Sequence, residues 1–390
     1  MSHADLASVL DAVKDIVPKL RENGLRAEEE RWIPDENITL MDKADVFRAA
    51  VPARFGGLDL SLADQSRVLA EIGRGCGSTG WVAMVWVTSA WLVTLFSDQA
   101  QEEVFATGSV RVSGGFTPSG TLTPTEGGYL LNGTWRFNSG CRGADWNISA
   151  AIVENPDGTH GEAVAVVPMS EYSIADDWYT SSAGATGSCA STAKDVFVPA
   201  HRVVGYEEAV MNSAAGRTAE VTPGRAYGLF SYVMTACAAA YVGIAMGAYD
   251  LFLERVKGRA ITYTAYEDQS QHPLTQIQVA EAANKITAAN ALLNEVTGRL
   301  QARADAGEQP TDAEKADVRG QTAFAIHLAK EAVETLYTAS GASVIARAVP
   351  MQRFFRDTQG LALHGLLLLS TNLEVQGRVL LGLDADTPIL

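Results

Sequence analysis

Helical periodicity dominates the first hundred residues. Between Ser61 and Arg74 the apolar side chains fall near one face of a helix, and Ser61 is a suitable N-cap. From Thr79 to Phe96 the chain carries no charge, over a length at the lower limit for a membrane span. Serines and threonines interrupt this stretch, so we predict a buried core helix. We assign residues 1–108 to an N-terminal helical domain.

The pattern changes to short apolar runs from Ser109 onward. Asn132-Gly133 and Asp157-Gly158 are strong turn signals for hairpins. Strands at this spacing predict a small antiparallel barrel or sandwich, which we assign to residues 109–222. The runs rich in β-branched and aromatic residues that predict these strands are VRVSGGF, GYLLNGTWRF, WNISAAIVE, EAVAVVP and STAKDVFVP.

Long periodic helices return in the last part of the chain. Four segments, near 224–258, 273–305, 311–341 and 358–381, predict a C-terminal four-helix bundle over residues 223–390. The first and last segments are apolar on nearly every face, so we expect them to pack also against neighbouring subunits of a homo-oligomer. The predicted fold class is α+β and mostly α, in the order helices, strands, helical bundle.

Composition and charge narrow the possible functions. The 390 residues are 47% hydrophobic and 19% charged, with a net charge of −16, which suits a globular protein. Nucleic-acid binding needs clustered Lys and Arg, which this chain lacks. Its four cysteines are widely spaced without a Cys/His cluster, so no metal site is expected. The N-terminus lacks the apolar segment of a signal peptide. We therefore expect a cytoplasmic protein without nucleic-acid or membrane partners.

Three polar groups in apolar surroundings are candidates for chemistry, because the P-loop, GxGxxG and GxSxG motifs are absent. Ser139, in Asn138-Ser139-Gly140, follows a predicted strand and could bond a ligand or simply cap a turn. His364, in LALHGLLLL, could be a core residue or a catalytic imidazole with a pKa near neutrality. Arg259 ends the first bundle helix, where a cation suits the helix dipole or could bind a cofactor phosphate.

Several local strings, taken with the order of the domains, resemble the acyl-CoA dehydrogenase superfamily over nearly the whole chain. They are CGSTGWV at 76–82, GGYLLNGTWRFNSG at 127–140, KDVFVP at 194–199, and QRFFRD at 352–357 followed by a histidine. These strings are more similar to one branch, the flavin-dependent aromatic hydroxylases that receive reduced flavin from a separate reductase. Dehydrogenases of one large group carry a catalytic glutamate after an Arg-Asp pair. Counted from Arg356-Asp357, that position is Gly365 here, so the resemblance implies a hydroxylase.

The resemblance also implies roles for individual residues. His364 falls where the hydroxylases place a histidine that contacts the substrate, and Ser139 falls where a hydroxyl faces flavin N5. Further residues implied in flavin binding are Phe116 and Thr117 on the pyrimidine side, Phe137 on the isoalloxazine, and Arg259 (from a neighbouring subunit) and Gly341 at the pyrophosphate. Thr262 and Ser340 depart from the family pattern, so reduced FAD is the expected cofactor and reduced FMN stays open.

The implied activity is a monooxygenase reaction with O2 as co-substrate. Reduced flavin would form a C4a-hydroperoxide, stabilised by Ser139, that hydroxylates an aromatic, phenolic or indole-like substrate. Apolar walls that include Trp81 and Trp86 would bind the substrate and exclude water. His364 would bind the substrate's hydroxyl or indole nitrogen and take up or share its proton. Arg142 is the one candidate near these motifs for holding a substrate carboxylate. The implied partners are a separate NAD(P)H-dependent flavin reductase and further copies of the chain in a tetramer.

Other functions remain open from the sequence. An acyl-CoA dehydrogenase with a relocated base would use Glu254, and acyl-CoA would then reduce its flavin without a reductase. An N- or S-oxygenase on the same scaffold would share the flavin chemistry without needing a base, so the loss of His364 would be mild. A non-catalytic scaffold would bind no reduced flavin, although the retained Ser139, Arg259 and Gly341 speak against it.

Overall fold

The computed structural model describes residues 3–154, 158–210, 215–217, 224–387 and 389–390. Six helices come first, then a sheet, then a helical bundle, in the order predicted from the sequence. The predicted boundary at residues 222–223 lies outside the described residues.

The N-terminal helices wrap one apolar helix. They are α1 (His3–Glu22), α2 (Gly24–Glu30), α3 (Asp35–Lys43), α4 (Leu62–Gly75), α5 (Gly77–Val93) and α6 (Asp98–Val104). Ser61 caps α4 by accepting a hydrogen bond from the Asp64 N–H at 3.2 Å, as predicted. Every residue of α5 except Val85 is buried. The uncharged run is therefore a core helix, as its serines and threonines indicated.

The strands form one mixed sheet rather than the wholly antiparallel one that we predicted. They are β1 (Val112–Gly115), β2 (Gly120–Thr125), β3 (Gly128–Trp135), β4 (Trp146–Glu154), β5 (His160–Pro168), β6 (Ser173–Ile174), β7 (Ser191–Pro199) and β8 (Val203–Gly205), in the order β6-β7-β3-β2-β4-β5-β8 with β1 beside β4. Both β1 and β2 run parallel to β4. Parallel neighbours need a crossover, and the connection at 136–145 that leads into β4 carries the Asn138-Ser139-Gly140 turn.

The hairpin turn expected at Asn132-Gly133 was predicted wrongly. This pair lies inside β3, where the register with β7 shifts between Leu131 and Gly133 in a β-bulge. A Cβ on Gly133 would lie 2.5 Å from the Gly120 Cα, so glycine serves close strand approach here. The turn between β2 and β3 is formed instead at Gly127, which has φ +77. Of the second predicted turn, Asp157 lies outside the described residues.

The C-terminal helices build the bundle. They are α8 (Leu229–Val256), α9 (Pro273–Asp305), α10 (Asp312–Ala339), α11 (Met351–Leu361) and α12 (Leu369–Leu380), preceded by the short α7 (Tyr206–Val210). The predicted helix at 358–381 is wrong, because the chain breaks into α11 and α12 around His364. The Asn372 side chain donates to the carbonyls of Leu366 and Leu368, at 2.9 and 2.8 Å, in place of a continuing helical ladder.

Helix α8 is the centre of the bundle. It packs against α4, α5 and α10 of its own chain. A Cβ on Gly243 would lie 2.0 Å from the Ala70 carbonyl oxygen, so α4 and α8 approach at backbone distance. Among the described residues α8 is the one helix long and apolar enough to cross a membrane, and 78% of its most apolar window is buried inside the protein. Most of its apolar surface is therefore covered within the chain, and packing of this helix against neighbouring subunits stays a prediction. Exposed leucines remain on and after α12, at Leu373, Leu380 and Leu381.

Candidate active site

The turn after β3 presents Ser139 to helix α5. Phe137 and Gly140 both have positive φ, +56 and +77, so the backbone reverses sharply at the turn. Asn138 is completely buried, and its amide nitrogen donates to Asn147 Oδ1 and Ser191 Oγ, each at 2.9 Å. These bonds attach the turn to β4 and β7, so the Ser139 hydroxyl is held by a rigid base.

The Ser139 hydroxyl belongs to a chain of hydrogen bonds. Trp81 Nε1 on α5 donates to Ser139 Oγ at 3.1 Å. Ser139 Oγ lies 2.7 Å from Ser188 Oγ, which lies 2.7 Å from Thr186 Oγ1. Thr186 Oγ1 in turn donates to the Ala183 carbonyl at 2.8 Å. Sequence reasoning missed Thr186 and Ser188, because serine and threonine in a loop rich in Gly, Ala and Ser carry no characteristic spacing.

A buried carboxylate holds this loop against the site. Asp357 on α11 accepts hydrogen bonds from the Ala183 N–H at 2.7 Å and from Ser78 Oγ at 2.9 Å. Burial raises the pKa of Asp357. Asp357 therefore connects α11, the start of α5 and the loop that carries Thr186. Asp357 of the Arg356-Asp357 pair thus positions the loop that carries Thr186 and Ser188.

His364 also lies beside Trp81. The two ring centroids are 5.9 Å apart. His364 Nδ1 accepts a hydrogen bond from the Leu366 N–H at 3.3 Å, so the neutral ring carries its proton on Nε2. Desolvation by its surroundings lowers the pKa of His364, although the residue as a whole is exposed to solvent. The imidazole is therefore neutral near pH 7 and offers Nε2–H as a donor.

Trp86 lies behind the turn rather than beside His364. It is completely buried, and its Nε1 donates to the Gly140 carbonyl at 3.2 Å. Its ring makes edge contacts with Trp32 and Phe47. The structure thus gives Trp86 a supporting role, and of the two tryptophans predicted to bind substrate only Trp81 contacts both Ser139 and His364.

Two exposed aromatic side chains flank the sheet end of the site. Phe137 is 74% exposed and meets Trp178 edge to face, with centroids 5.7 Å apart. Phe116 is 50% exposed, and Thr117 beside it is exposed as well. Large apolar rings at the surface next to buried polar groups mark a ligand or partner surface. A planar aromatic cofactor fits this requirement.

A cationic cluster follows the end of α8. Arg259 donates to the Ser340 carbonyl at 2.6 Å and to Ser343 Oγ at 2.8 Å. Arg255 donates to the same Ser343 Oγ at 2.5 Å, while its Nε is buried without a partner. Within the described residues neither guanidinium pairs with a carboxylate. Gly341 has φ +70, and a Cβ there would lie 3.4 Å from the Arg259 guanidinium. Two unpaired cations beside an open glycine suit a phosphate or pyrophosphate, and Arg255 was not found from the sequence.

Within one chain, the residues around Trp81 lie far from the cationic cluster at the end of α8. Tyr241 of α8 meets Trp81 edge to face at 6.4 Å. Arg255 follows fourteen residues later on the same helix, which corresponds to about 21 Å of helical rise. Ser139 and His364 thus lie beside Trp81, while Arg259 and Gly341 form a second group well along the bundle.

The position proposed for a relocated base does not face the site. Glu254 is exposed and pairs with Arg21 at 3.2 Å. Around Gly365 no atom lies within 4 Å of the position that a Cβ would occupy. Neither residue places a carboxylate beside Ser139 or His364, which argues against the dehydrogenase alternative.

The fold and site define a flavoprotein scaffold of the acyl-CoA dehydrogenase type. The family models described as acyl-CoA dehydrogenase N-terminal domain and C-terminal domain match residues 5–111 and 235–367. The chain is 32% identical over 365 residues to the flavin-dependent monooxygenase oxygenase subunit HsaA of Mycobacterium tuberculosis, covering 92% of each chain. It belongs to this family of flavin-dependent monooxygenase oxygenase components, as the sequence strings predicted.

Other relatives agree with that assignment. A pigment production hydroxylase of Rhodococcus sp. is 30% identical over 383 residues, covering 98% of each chain. The crystal structure of 3-HSA hydroxylase from Rhodococcus sp. RHA1 superimposes with a TM-score of 0.93 at 29% identity, covering 98% of this chain and 99% of that one. The XiaF protein from Streptomyces sp., in complex with FADH2 and glycerol, has a TM-score of 0.93 at 27% identity, with coverage of 99% and 98%.

Proposed function

We propose that this protein uses reduced flavin and O2 to hydroxylate an aromatic ring that carries a phenolic hydroxyl. The observation that carries the proposal is the position of Trp81, which donates a hydrogen bond to Ser139 and also contacts the His364 ring. A hydroxyl for the cofactor and an imidazole for the substrate thereby contact the same side chain. Reduced FAD is the preferred cofactor.

The residues present fit a flavin. Exposed Phe116 and Phe137 offer apolar surface to its ring system, and the Ser139 hydroxyl is held beside Trp81. Arg255 and Arg259 supply unpaired cations for phosphate oxygens. When bound, the flavin supplies the activation of oxygen. The two cations favour FAD, because its pyrophosphate offers two phosphate groups, one for each guanidinium, where FMN offers a single phosphate.

His364 binds and orients the substrate as a hydrogen-bond donor. Because Nδ1 accepts the Leu366 N–H, the neutral ring donates from Nε2. A phenolic oxygen accepts such a bond, and its anionic form accepts it more strongly. An indole N–H is itself a donor and would not match Nε2–H. The tautomer therefore favours a phenol over an indole. In place of the proton acceptor expected from the sequence, we propose that His364 is a hydrogen-bond donor that stabilises the phenolate.

The surroundings favour a substrate without a carboxylate. Arg142, the one cation considered for that role, pairs with Asp176 at 2.9 Å. Asp176 also pairs with Arg31, and these contacts, led by the Arg31 hydrogen bond, lower the pKa of Asp176 to about 2. The Arg142 guanidinium is thus already paired with a carboxylate of its own chain, which it shares with Arg31. A fused-ring or otherwise uncharged phenol fits better than a phenolic acid.

The chain is proposed to work with two kinds of partner. Reduced flavin would come from a separate NAD(P)H-dependent reductase, since p-hydroxyphenylacetate 3-hydroxylase of Acinetobacter baumannii, a relative at 28% identity, is itself named as an oxygenase component. A tetramer is proposed because Arg259 and Gly341 lie far along the bundle from Ser139 of the same chain. They would bind the pyrophosphate of a flavin whose ring lies beside Ser139 of a neighbouring subunit. The leucines exposed after α12 provide apolar surface for such contacts.

The experiment starts from anaerobic protein with chemically reduced FAD or FMN, mixed with O2 in a stopped-flow spectrophotometer with and without a neutral phenol. We expect a transient flavin absorbance before the oxidised spectrum returns, and hydroxylated phenol in place of peroxide. Ser139→Ala should shorten the transient, whereas His364→Gln should leave it but uncouple hydroxylation.

A matched control is His327→Gln, which changes a partly exposed histidine on α10 that pairs with Glu331. It should leave coupling unchanged. Equal oxidation of a thioether or amine by wild type and His364→Gln would favour an S- or N-oxygenase instead. Immediate return to oxidised flavin under every condition would refute the proposed monooxygenase.

A further inference from the structure

The chain of hydroxyls beside Trp81 has a fixed direction. Indole Nε1–H can only donate, so Ser139 Oγ must accept from Trp81. At the other end a carbonyl can only accept, so the Thr186 hydroxyl must donate its hydrogen bond to Ala183 O, 2.8 Å away. Thr186 then accepts from Ser188, and Ser188 accepts from Ser139. Each intermediate hydroxyl has a single assignment, although either oxygen of each pair could donate if the ends were free.

This direction leaves Ser139 without a proton to offer. Its hydroxyl hydrogen is used on Ser188 and one lone pair on Trp81, so only one lone pair remains for a ligand. Thr186 is completely buried, and Ser188 is 4% exposed. Water therefore has little access to this chain of hydroxyls. It cannot readily replace Ser188 or Thr186 as a hydrogen-bond partner and so reverse the direction of the Ser139 hydroxyl.

We propose that Ser188 and Thr186 orient the Ser139 hydroxyl as an obligatory acceptor, and that this orientation makes the site select reduced over oxidised flavin. The proposal rests on the function proposed above. Reduced flavin carries a proton on N5 and donates to an acceptor, whereas oxidised N5 presents a lone pair. The same Ser139 oxygen thus forms a hydrogen bond with one redox state and faces the other lone pair to lone pair.

Selectivity of this kind suits an enzyme that receives its flavin from a diffusible pool. Oxidised flavin would otherwise compete for the site, since its ring system has the same shape. Discrimination by one buried hydrogen bond against an unpaired acceptor is worth about ten-fold in binding, or about 1.4 kcal/mol. Ser188 and Thr186 are positioning residues, because they act through Ser139.

The test measures dissociation constants of oxidised FAD and, anaerobically, of reduced FAD by fluorescence or calorimetry. Ser188→Ala frees the Ser139 proton to donate to oxidised N5. We expect the dissociation constant of oxidised FAD to fall about three- to ten-fold, while that of reduced FAD changes little. Thr186→Val should act in the same direction, because Ser188 can then donate to Ser139. Thr186→Ser keeps the hydroxyl and should retain wild-type selectivity.

A double variant shows whether the effect passes through Ser139. In the Ser139→Ala background, adding Ser188→Ala should leave the ratio of the two dissociation constants unchanged. An equal shift in both backgrounds, or no shift in Ser188→Ala and Thr186→Val proteins that melt as wild type does, would overturn the proposal while leaving the monooxygenase intact. Wild-type protein that binds neither redox state would instead refute the proposed function itself.

Discussion

Replacing Gly140 by alanine tests how the turn positions Ser139. Gly140 has φ +77, and an added Cβ would lie 2.6 Å from Trp86 Nε1 and 3.2 Å from Val82 Cγ1. A left-handed residue with a Cβ costs about 1–2 kcal/mol. Overpacking against the buried indole adds about 1–3 kcal/mol. We therefore expect Gly140→Ala to lower the free energy of unfolding by about 2–5 kcal/mol, and to weaken binding of reduced flavin because Ser139 must move.

Gly307→Ala is the matched control. Gly307 has φ +71 with no atom within 4 Å of the Cβ position, so this variant carries the backbone cost alone. Denaturant unfolding and the dissociation constant of reduced FAD would be compared for the two variants. If Gly140→Ala is no more destabilised than Gly307→Ala and binds reduced FAD as tightly as wild type, the turn is not held rigidly by Trp86 and the reasoning fails.

Two further sets of variants test the supports of the site. Asp357→Ala should lower the free energy of unfolding by about 1–3 kcal/mol, because it leaves the Ala183 N–H unpaired, whereas Asp357→Asn, which can still accept that bond, should be milder. Burial raises the pKa of Asp357, so the folded state holds this proton more tightly than the unfolded state does. The free energy of unfolding of wild type, relative to Asp357→Asn, should therefore fall as the pH rises from the unfolded-state pKa to the folded-state pKa. A difference between the two proteins that stays constant over that pH range would contradict this. Arg255→Ala and Arg259→Ala should each weaken the binding of FAD more than the binding of FMN in titrations. An equal increase in both dissociation constants would contradict the assignment of these cations to a pyrophosphate.

The elements with explicit end signals were predictable from the sequence. Helix α9 runs from Pro273 to Asp305 as expected, since proline suits a first helical turn and Gly307 follows the end. Thr311 and Glu314 form the capping box that starts α10. Strands β4 and β7 also occupy the predicted runs, because their β-branched residues are bounded by turn residues.

Elements that depend on tertiary partners were not predictable. The apolar run around His364 has the composition of a buried helix, and only the bonds from Asn372 and to Nδ1 show why it breaks. Asn132-Gly133 has the dipeptide of a hairpin but lies at a β-bulge between β3 and β7, and Gly133 lets β3 approach Gly120 closely. Ser139 could be identified by its resemblance, yet its partners Thr186 and Ser188 could not, because nearly fifty residues separate them along the chain.

The break between α11 and α12 bears on how such enzymes acquire new substrates. Asn372 donates to two carbonyls of this segment, and His364 Nδ1 accepts the Leu366 N–H, whereas the neighbouring Ala, Leu and Gly residues form no side-chain hydrogen bond with the backbone. Leu363 is 74% exposed, and the space around Gly365 is open. Substitutions at Leu363 or Gly365 can therefore reshape the surface beside His364 that the proposed substrate would contact, without opening a cavity or leaving a peptide group unpaired. Substrate range can drift between descendants at this segment, while selection continues to preserve Ser139 and its supports for the flavin.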